Sequence, residues 1–192
     1  NPTAIASTST GTVCEDATIS LTGGASGGSG GGYSYSWSGP SSYSSSDQSP
    51  TISADATTAM AGSYLLTVTD GNTCSSASSS TSITVNQNPT ANAGDVMSAI
   101  CQGATSAVMN GSTAGGATGG TWSGGAGSWT NATDKANATY TAGAAESGSI
   151  TLTLTTTGSS CTPVTATKNI TVNANPTAIA STSTGTVCED AT

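Results

Sequence analysis

Apolar and polar residues alternate with a period of two in several short stretches. Tyr33, Tyr35 and Trp37 alternate with Ser34, Ser36 and Ser38, and Tyr64, Leu66 and Val68 alternate with Leu65, Thr67 and Thr69. Further on, Ile150, Leu152 and Leu154 alternate with Thr151, Thr153 and Thr155. Ile19 with Leu21, Ile83 with Val85, and Ile170 with Val172 give shorter pieces of the same pattern. Successive side chains of a strand point to opposite faces. Each stretch therefore has one apolar and one hydroxyl-bearing face, as in a half-buried antiparallel sheet. Trp37, Tyr64, Leu66, Val68, Trp122, Ile150, Leu152 and Leu154 are the expected core. The Gly/Ser clusters at 23–32 and 115–120 read as loops, having no side chain to bury. No segment carries helical periodicity. About seven short strands fall in each stretch of about 87 residues, which predicts a β-sandwich.

That length is itself a repeat. Residues 175–192 are identical to residues 1–18, NPTAIASTSTGTVCEDAT, at an offset of 174. Such identity points to a recent tandem duplication, so the chain reads as one full unit and the start of the next. The unit divides again. NPTA recurs at Asn1 and Asn88, and Cys14, Cys101 and Cys188 keep the same step of 87, as do Cys74 and Cys161. The expected domains are 1–87, 88–174 and, from 175 to 192, the beginning of a third. No flexible spacer separates them. Pro89 and Pro176 stiffen the junctions and bar continuation of the preceding strand pairing.

Composition narrows the function. Charged residues are 6% of the chain, with ten acids against Lys135 and Lys168, no Arg, no His and a net charge of −8. Nucleic-acid binding needs a basic stripe to neutralise phosphates and is excluded. So is the polybasic route to anionic membranes. Without His there is neither a His-based triad nor a His metal site. Ser and Thr number about 70, over a third of the chain, a composition found in extracellular or disordered proteins; the β-periodicity decides for a folded one. No run of 18 apolar residues and no secretory leader is present, so the sequence reads as part of a mature exported chain.

The wording YSYSWSGP…PTISADATTAMAGSYLLTVTDGNTC resembles the Ig-like and PKD-like repeats of giant bacterial surface proteins, gliding-motility adhesins among them. The stretch from Asn110 to Thr157 resembles a second repeat type of the same proteins. The resemblance implies tandem Ig-like sandwiches serving as a stalk, with Trp37 as the strand-C core residue and the Tyr64 hydroxyl bonded back to the corner before its strand. The Gly/Ser-rich B–C loop and the scarcity of charge depart from it.

Cysteines in such a chain read as disulfides. Normal Ig practice implies Cys14–Cys74 and Cys101–Cys161, each spanning 60 residues. On a chain-entropy basis a loop of that size contributes roughly 4 kcal/mol. In an Ig-type sandwich, however, Cys14 and Cys74 would lie at opposite poles, beyond the roughly 7 Å a disulfide allows between Cα atoms. The alternative staples neighbouring domains: Cys14 with Cys161, and Cys101 with the Cys74 counterpart of the following unit. Both schemes fit the spacing, and Cys188 belongs to a domain whose remainder lies beyond this sequence.

Other candidate chemistry is sparse. Glu15-Asp16 reads as a solvated turn. Asp70-Gly71-Asn72 has the letters of a Ca²⁺ loop but too few acids nearby for 6–8 oxygen ligands. The abundant serines have no base beside them, so no enzyme and no cofactor is expected. Trp129 is either a sugar-stacking residue or packed under a strand. Asn110, Asn131, Asn137 and Asn169 begin sequons, though sugar on Ser/Thr better suits a bacterial chain. The Thr151, Thr153, Thr155 ladder is an outward strand face. The expectation is a non-enzymatic segment of a long extracellular fibre or adhesin stalk, at a bacterial cell surface or in a secreted filament. Its partners are neighbouring copies of the repeat, with a host-surface or glycan ligand further out and no membrane insertion in this segment. One alternative is a small subunit that polymerises when its residues 175–192 replace residues 1–18 of the next. Another is carbohydrate binding through Trp129.

Overall fold

The computed structural model describes residues 1–9, 11–29 and 31–180. The described residues are all-β apart from two single-turn 3₁₀ segments. In the N-terminal half the strands are β1 (Pro2–Thr8), β2 (Thr12–Cys14), β3 (Ile19–Gly27), β4 (Tyr33–Gly39), β5 (Tyr43–Ser45), β6 (Thr51–Ser53), β7 (Gly62–Asp70) and β8 (Ser79–Asn86). In the C-terminal half they are β9 (Pro89–Asn92), β10 (Ile100–Cys101), β11 (Ser112–Gly115), β12 (Gly119–Ser123), β13 (Ser128–Thr130), β14 (Thr139–Thr141), β15 (Gly148–Thr157) and β16 (Thr165–Asn173).

In the N-terminal half one sheet has the order β1-β3-β6 and the other β2-β8-β7-β4-β5. This is the Ig-like arrangement of two packed, mainly antiparallel sheets, with β2 alone running parallel to its neighbour β8. The C-terminal half keeps the second sheet as β10-β16-β15-β12 and pairs β11 with β9, but its β13 pairs with β14 instead of with β12. Alternation does what the sequence predicts. On β7, Tyr64, Leu66 and Val68 are fully buried while Leu65 is exposed. On β15, Leu152 and Leu154 are fully buried, and Ile150 is half-buried near the start of the strand. Trp37 is buried with Ile19, Leu21, Ile83 and Val85 in one core, and Trp122 with Met109, Tyr140, Ile170 and Val172 in another.

Three expectations need correction. Each half has eight strands among the described residues, not about seven. The additions are β2 and β10, of three and two residues, which run parallel to β8 and β16 and are too short to show alternation. Second, the Gly-rich stretch at 23–32 is not all loop. β3 continues to Gly27, pairing Ala6 with Gly23, Ile5 with Gly24 and Pro2 with Gly27. Gly23 has no side chain because none fits: a Cβ there would lie 2.6 Å from the Gln48 carbonyl and 3.3 Å from the Trp37 ring. The ladder needs only backbone, so periodicity could not reveal it. Likewise β12 begins at Gly119, inside the second cluster. Third, Pro89 does more than end a pairing. Pro2 and Pro89 are buried first residues of β1 and β9, a position where a missing N–H costs nothing. Pro176 is exposed, and residues 175–180 form no strand; residues 181–192, Cys188 included, lie outside the described residues.

Candidate functional site

β2 runs parallel to β8, whereas β7 runs antiparallel to it. The end of β2 and the end of β7 therefore lie at opposite poles of the N-terminal sandwich. Cys14 closes β2, opposite Asn86. Cys74 follows β7 at the far pole. The same logic separates Cys101, opposite Asn173 at the end of β16, from Cys161, which follows β15. The pairs Cys14–Cys74 and Cys101–Cys161 are accordingly not formed. The bridge is Cys14–Cys161, with Cα atoms 5.8 Å apart and a sequence separation of 147. It crosses from the Cys14 pole of the first sandwich to the loop between β15 and β16 of the second. Cys74 and Cys101 are free, the first half-buried and the second exposed.

The bridge is one part of a built junction. Asn88 donates its backbone N–H to Glu15 Oε2 (3.0 Å), and its side-chain amide to the Glu15 carbonyl (3.2 Å) and to Asp16 Oδ2 (2.9 Å). Glu15 in turn donates its N–H to the Asn86 carbonyl at 2.9 Å. Asp16, in the left-handed region at φ 66°, donates its N–H to the Ala56 carbonyl, which ties the turn to the segment after β6. Gly115 and Gly116 lie so close to the Asn88 and Gln87 carbonyls that neither place admits a side chain. Glu15 and Asp16 are therefore not a free solvated turn. They hold the first residues of the second sandwich.

The same clamp recurs 87 residues on. Asn175 donates its N–H to Gln102 Oε1 (3.0 Å) and its side-chain amide to the Gln102 carbonyl (3.2 Å), while Gln102 donates its N–H to the Asn173 carbonyl (3.0 Å). Sequence reasoning missed Asn88, Glu15, Asn175 and Gln102 as a set. Their signal was present: each repeat keeps Asn before Pro, and an acid or its amide directly after the Cys.

The remaining candidates serve the sandwiches themselves. Asp70 is buried, and its carboxylate accepts from the N–H groups of Asn72, Cys74 and Ser29. Those bonds, the one from Cys74 foremost, hold its carboxyl below the usual carboxylate range. Both oxygens thus organise two loops. Trp129 stacks on Trp122 at 5.9 Å between centroids, lies 5.1 Å from Tyr140, and donates its indole N–H to Gly124. It is half-buried over the C-terminal core. On the ladder, Thr151 donates its hydroxyl to Asn169 across the outer face. Asn110, Asn131, Asn137 and Asn169 are exposed.

No family model matches the chain. No curated protein matches it either. Solved structures do. The insect immune protein hemolin aligns at 12% identity and a TM-score of 0.54, over 84% of this chain and 44% of that one. A three-domain I-band fragment of titin aligns at 12% identity and a TM-score of 0.51, over 90% and 66%. Three N-terminal domains of the bacteriophage RB49 outer capsid protein Hoc align at 16% identity and a TM-score of 0.42, over 90% and 59%. The chain spans less than two thirds of the length of each. At these identities the likeness is one of fold, and it places this chain among tandem Ig-like sandwiches.

Proposed function

We propose that this chain is a repeat segment of a long extracellular fibre or adhesin stalk at a bacterial surface, working as a stiff spacer. The observation that carries the reading is the junction. Two sandwiches meet without a spacer, and a disulfide together with the Asn88 clamp crosses between them. A disulfide also suits an oxidising compartment outside the cytosol. Strands of seven to ten residues span roughly 23–33 Å at about 3.3 Å per residue, and the loops at the two poles bring each sandwich to roughly 30–40 Å. A two-sandwich unit, loops included, then adds roughly 60–80 Å of rod.

Electron microscopy of the native material tests this. Straight fibres with that axial repeat, becoming visibly kinked after reduction, are the expected result. Chains of beads that bend at every junction before reduction would overturn the reading.

A second reading has its own support. The first strand, β1, is the edge of its sheet, and the sequence PTAIAST that forms it recurs at 176–182. An edge strand is the element most readily supplied by another chain. In this reading residues 175–192 of one subunit replace residues 1–18 of the next and build an open head-to-tail filament. The mass of the native polypeptide after reduction and denaturation decides. A value many times 18.3 kDa makes the rod one polypeptide, and a value near 18.3 kDa makes it a strand-exchanged polymer.

A further inference from the structure

The molecule carries one closed inter-sandwich junction and the two open halves of another. The closed one brings the end-of-β2 pole of the N-terminal sandwich, with Cys14 and Glu15, against the loop after β15, with Cys161. The C-terminal sandwich presents a pole of the same construction. Cys101 ends β10 opposite Asn173 as Cys14 ends β2 opposite Asn86. Ala104 donates to the Cys101 carbonyl as Ala17 donates to that of Cys14, at 3.0 and 3.3 Å. Here Cys101 is exposed and unbonded. At the far pole of the N-terminal sandwich, Cys74 occupies the place of Cys161 in the second, and it too is in no disulfide.

A second observation shows which partner belongs at the Cys101 pole. Asn175, the first residue of the next copy of NPTA, is already seated on Gln102 by the two bonds through which Asn88 is seated on Glu15. The pole is thus engaged by the first residue of a second copy of the sequence that opens the N-terminal sandwich. Continuing that sandwich with the geometry of the closed junction sets its loop after β7, and so its Cys74, against Cys101.

We propose that Cys101 and Cys74 are the two halves of a recurring inter-unit disulfide, closed when the N-terminal sandwich of a further copy docks on the Cys101 pole. The inference rests on the reading of this chain as one of a series of repeats. Every junction of the series would then carry one bridge, with Cys14–Cys161 inside each unit and Cys101–Cys74 between units. The bond forms by thiol–disulfide exchange with a small-molecule or protein disulfide as oxidant. One thiolate attacks that disulfide, giving a mixed disulfide and releasing one thiol. The second thiolate then displaces the other half, so two thiols and one external disulfide become one inter-unit disulfide and two external thiols.

Disulfide mapping of the native protein tests the proposal. Thiols are blocked with N-ethylmaleimide before purification, and the protein is digested without reduction and analysed by mass spectrometry. The expected result is a peptide containing Cys101 joined to one containing Cys74, beside the Cys14–Cys161 pair, with almost no maleimide on either. Maleimide on both Cys74 and Cys101, or Cys101 joined to Cys188 or to another Cys101, would overturn it. Denatured mass after reduction then tells the two sources of the docked copy apart. A mass many times 18.3 kDa places the bridge within one polypeptide and a mass near it places the bridge between chains, and either supports the proposal. Straight fibres with free thiols would sink the cross-link and leave the rod. Linked thiols in freely bending chains would do the reverse.

Discussion

The two sandwiches share a plan and differ in how they hold it. In each, one loop carbonyl accepts both the core tryptophan's indole N–H and a glycine's backbone N–H. Gln48 plays this part for Trp37 (3.4 Å) and Gly23 (2.9 Å), and Lys135 for Trp122 and Gly111, both at 2.9 Å. Around that shared node the solutions diverge. The N-terminal core is locked by a neutral bond, Tyr64 hydroxyl to the Met60 carbonyl at 2.8 Å. Whereas the buried carboxylate of the N-terminal sandwich, Asp70, sits at the end of β7, the C-terminal core places buried charge at this lock. Its Tyr140 hydroxyl donates to the Glu146 carboxylate, which also accepts from the N–H groups of Ala126 and Gly143. Lys168 is buried too, donating to the Met109 and Asp95 carbonyls at 2.6 and 3.2 Å and lying 5.4 Å from the Trp122 ring centroid. The sheet arrangement tolerates either solution, because the backbone ladders do not depend on which polar group closes the core. What differs is sensitivity: a buried carboxylate or ammonium penalises any loss of its partner far more than a neutral hydroxyl does.

The largest test removes the shared node. Trp122→Ala and Trp37→Ala should each cost about 3–5 kcal/mol, as for large aromatic truncations in a packed core. Hydrogen exchange read peptide by peptide should show the loss in the sandwich that carries the change. Equal loss of protection in both halves from either variant would mean that the two cores unfold as one body. Next come the locks. Tyr140→Phe leaves a buried carboxylate short of a donor and should cost about 1–3 kcal/mol, whereas Tyr64→Phe should cost about 1 kcal/mol. Denaturant unfolding of each variant decides, and a Tyr64→Phe effect as large as that of Tyr140→Phe would remove the distinction.

The shared features were legible to different degrees. Val68, Leu152 and their neighbours announce themselves because alternation is a property of side chains. The Trp–glycine–carbonyl node does not. Gly23 and Gly111 contribute only backbone and empty space, and the accepting carbonyls belong to Gln48 and Lys135, whose side-chain identity is irrelevant to the bond. Tyr64 could be assigned its corner through the resemblance to Ig-like repeats, and its partner is Met60, four residues back. Tyr140 and Glu146 could not, since the chain between them has no periodic signal and the residue types suit a surface equally well. At the junction, pole geometry within the Ig-like frame offered the Cys14–Cys161 bridge as one of two pairings. The Asn88 clamp stayed hidden because neither Asn nor Glu is unusual in a turn.

Acidification sharpens the comparison with a smaller effect. Burial raises the Glu146 carboxyl, but its three hydrogen bonds outweigh that and leave it below the usual range. Asp134 is also held low, first by the Asn137 N–H. The N-terminal sandwich has only Asp70 shifted in this way among the described residues. A depressed carboxylate adds stability in full above its unfolded pKa, about 3.9 for Asp and 4.3 for Glu, and loses it as pH falls through the folded value. Below about pH 4 the C-terminal half should therefore weaken more steeply, and Glu146→Gln should flatten its slope. Burial lowers the pKa of Lys168, with Asp95 pushing back. The folded state then binds fewer protons than the unfolded one, so this group adds stability as pH rises through its folded value. Burial raises the pKa of Tyr140, which works the other way above about pH 10. Parallel acid limbs in the two halves, followed by hydrogen exchange, would contradict this assignment.

The smallest effect separates the two poles that receive an asparagine. Asn88 reaches both Glu15 and the Asp16 carboxylate, whereas among the described residues Asn175 reaches Gln102 alone, since Gly103 stands where Asp16 stood. Asp16 and Gly103 share the left-handed backbone, at φ 66° and 73°, so the turns match and only the side chain is missing. A bond to a charged group is worth more than one to a carbonyl. Asn88→Ala should then cost about 1 kcal/mol, roughly fivefold in the population of the opened clamp, and Asn175→Ala about half that energy. Neither change touches a core, so a denaturant midpoint should shift by no more than that energy divided by the m-value, which does not say where the loss lies. The readout is exchange of the amides of residues 88 and 175 themselves, donors in both clamps. Faster exchange at 88 in Asn88→Ala than in wild type, with a smaller ratio at 175 for the other variant, is the expected order. The reverse order would mean that Gln102 grips its asparagine more tightly than the acid pair does, and that the carboxylate of Asp16 adds nothing to the junction.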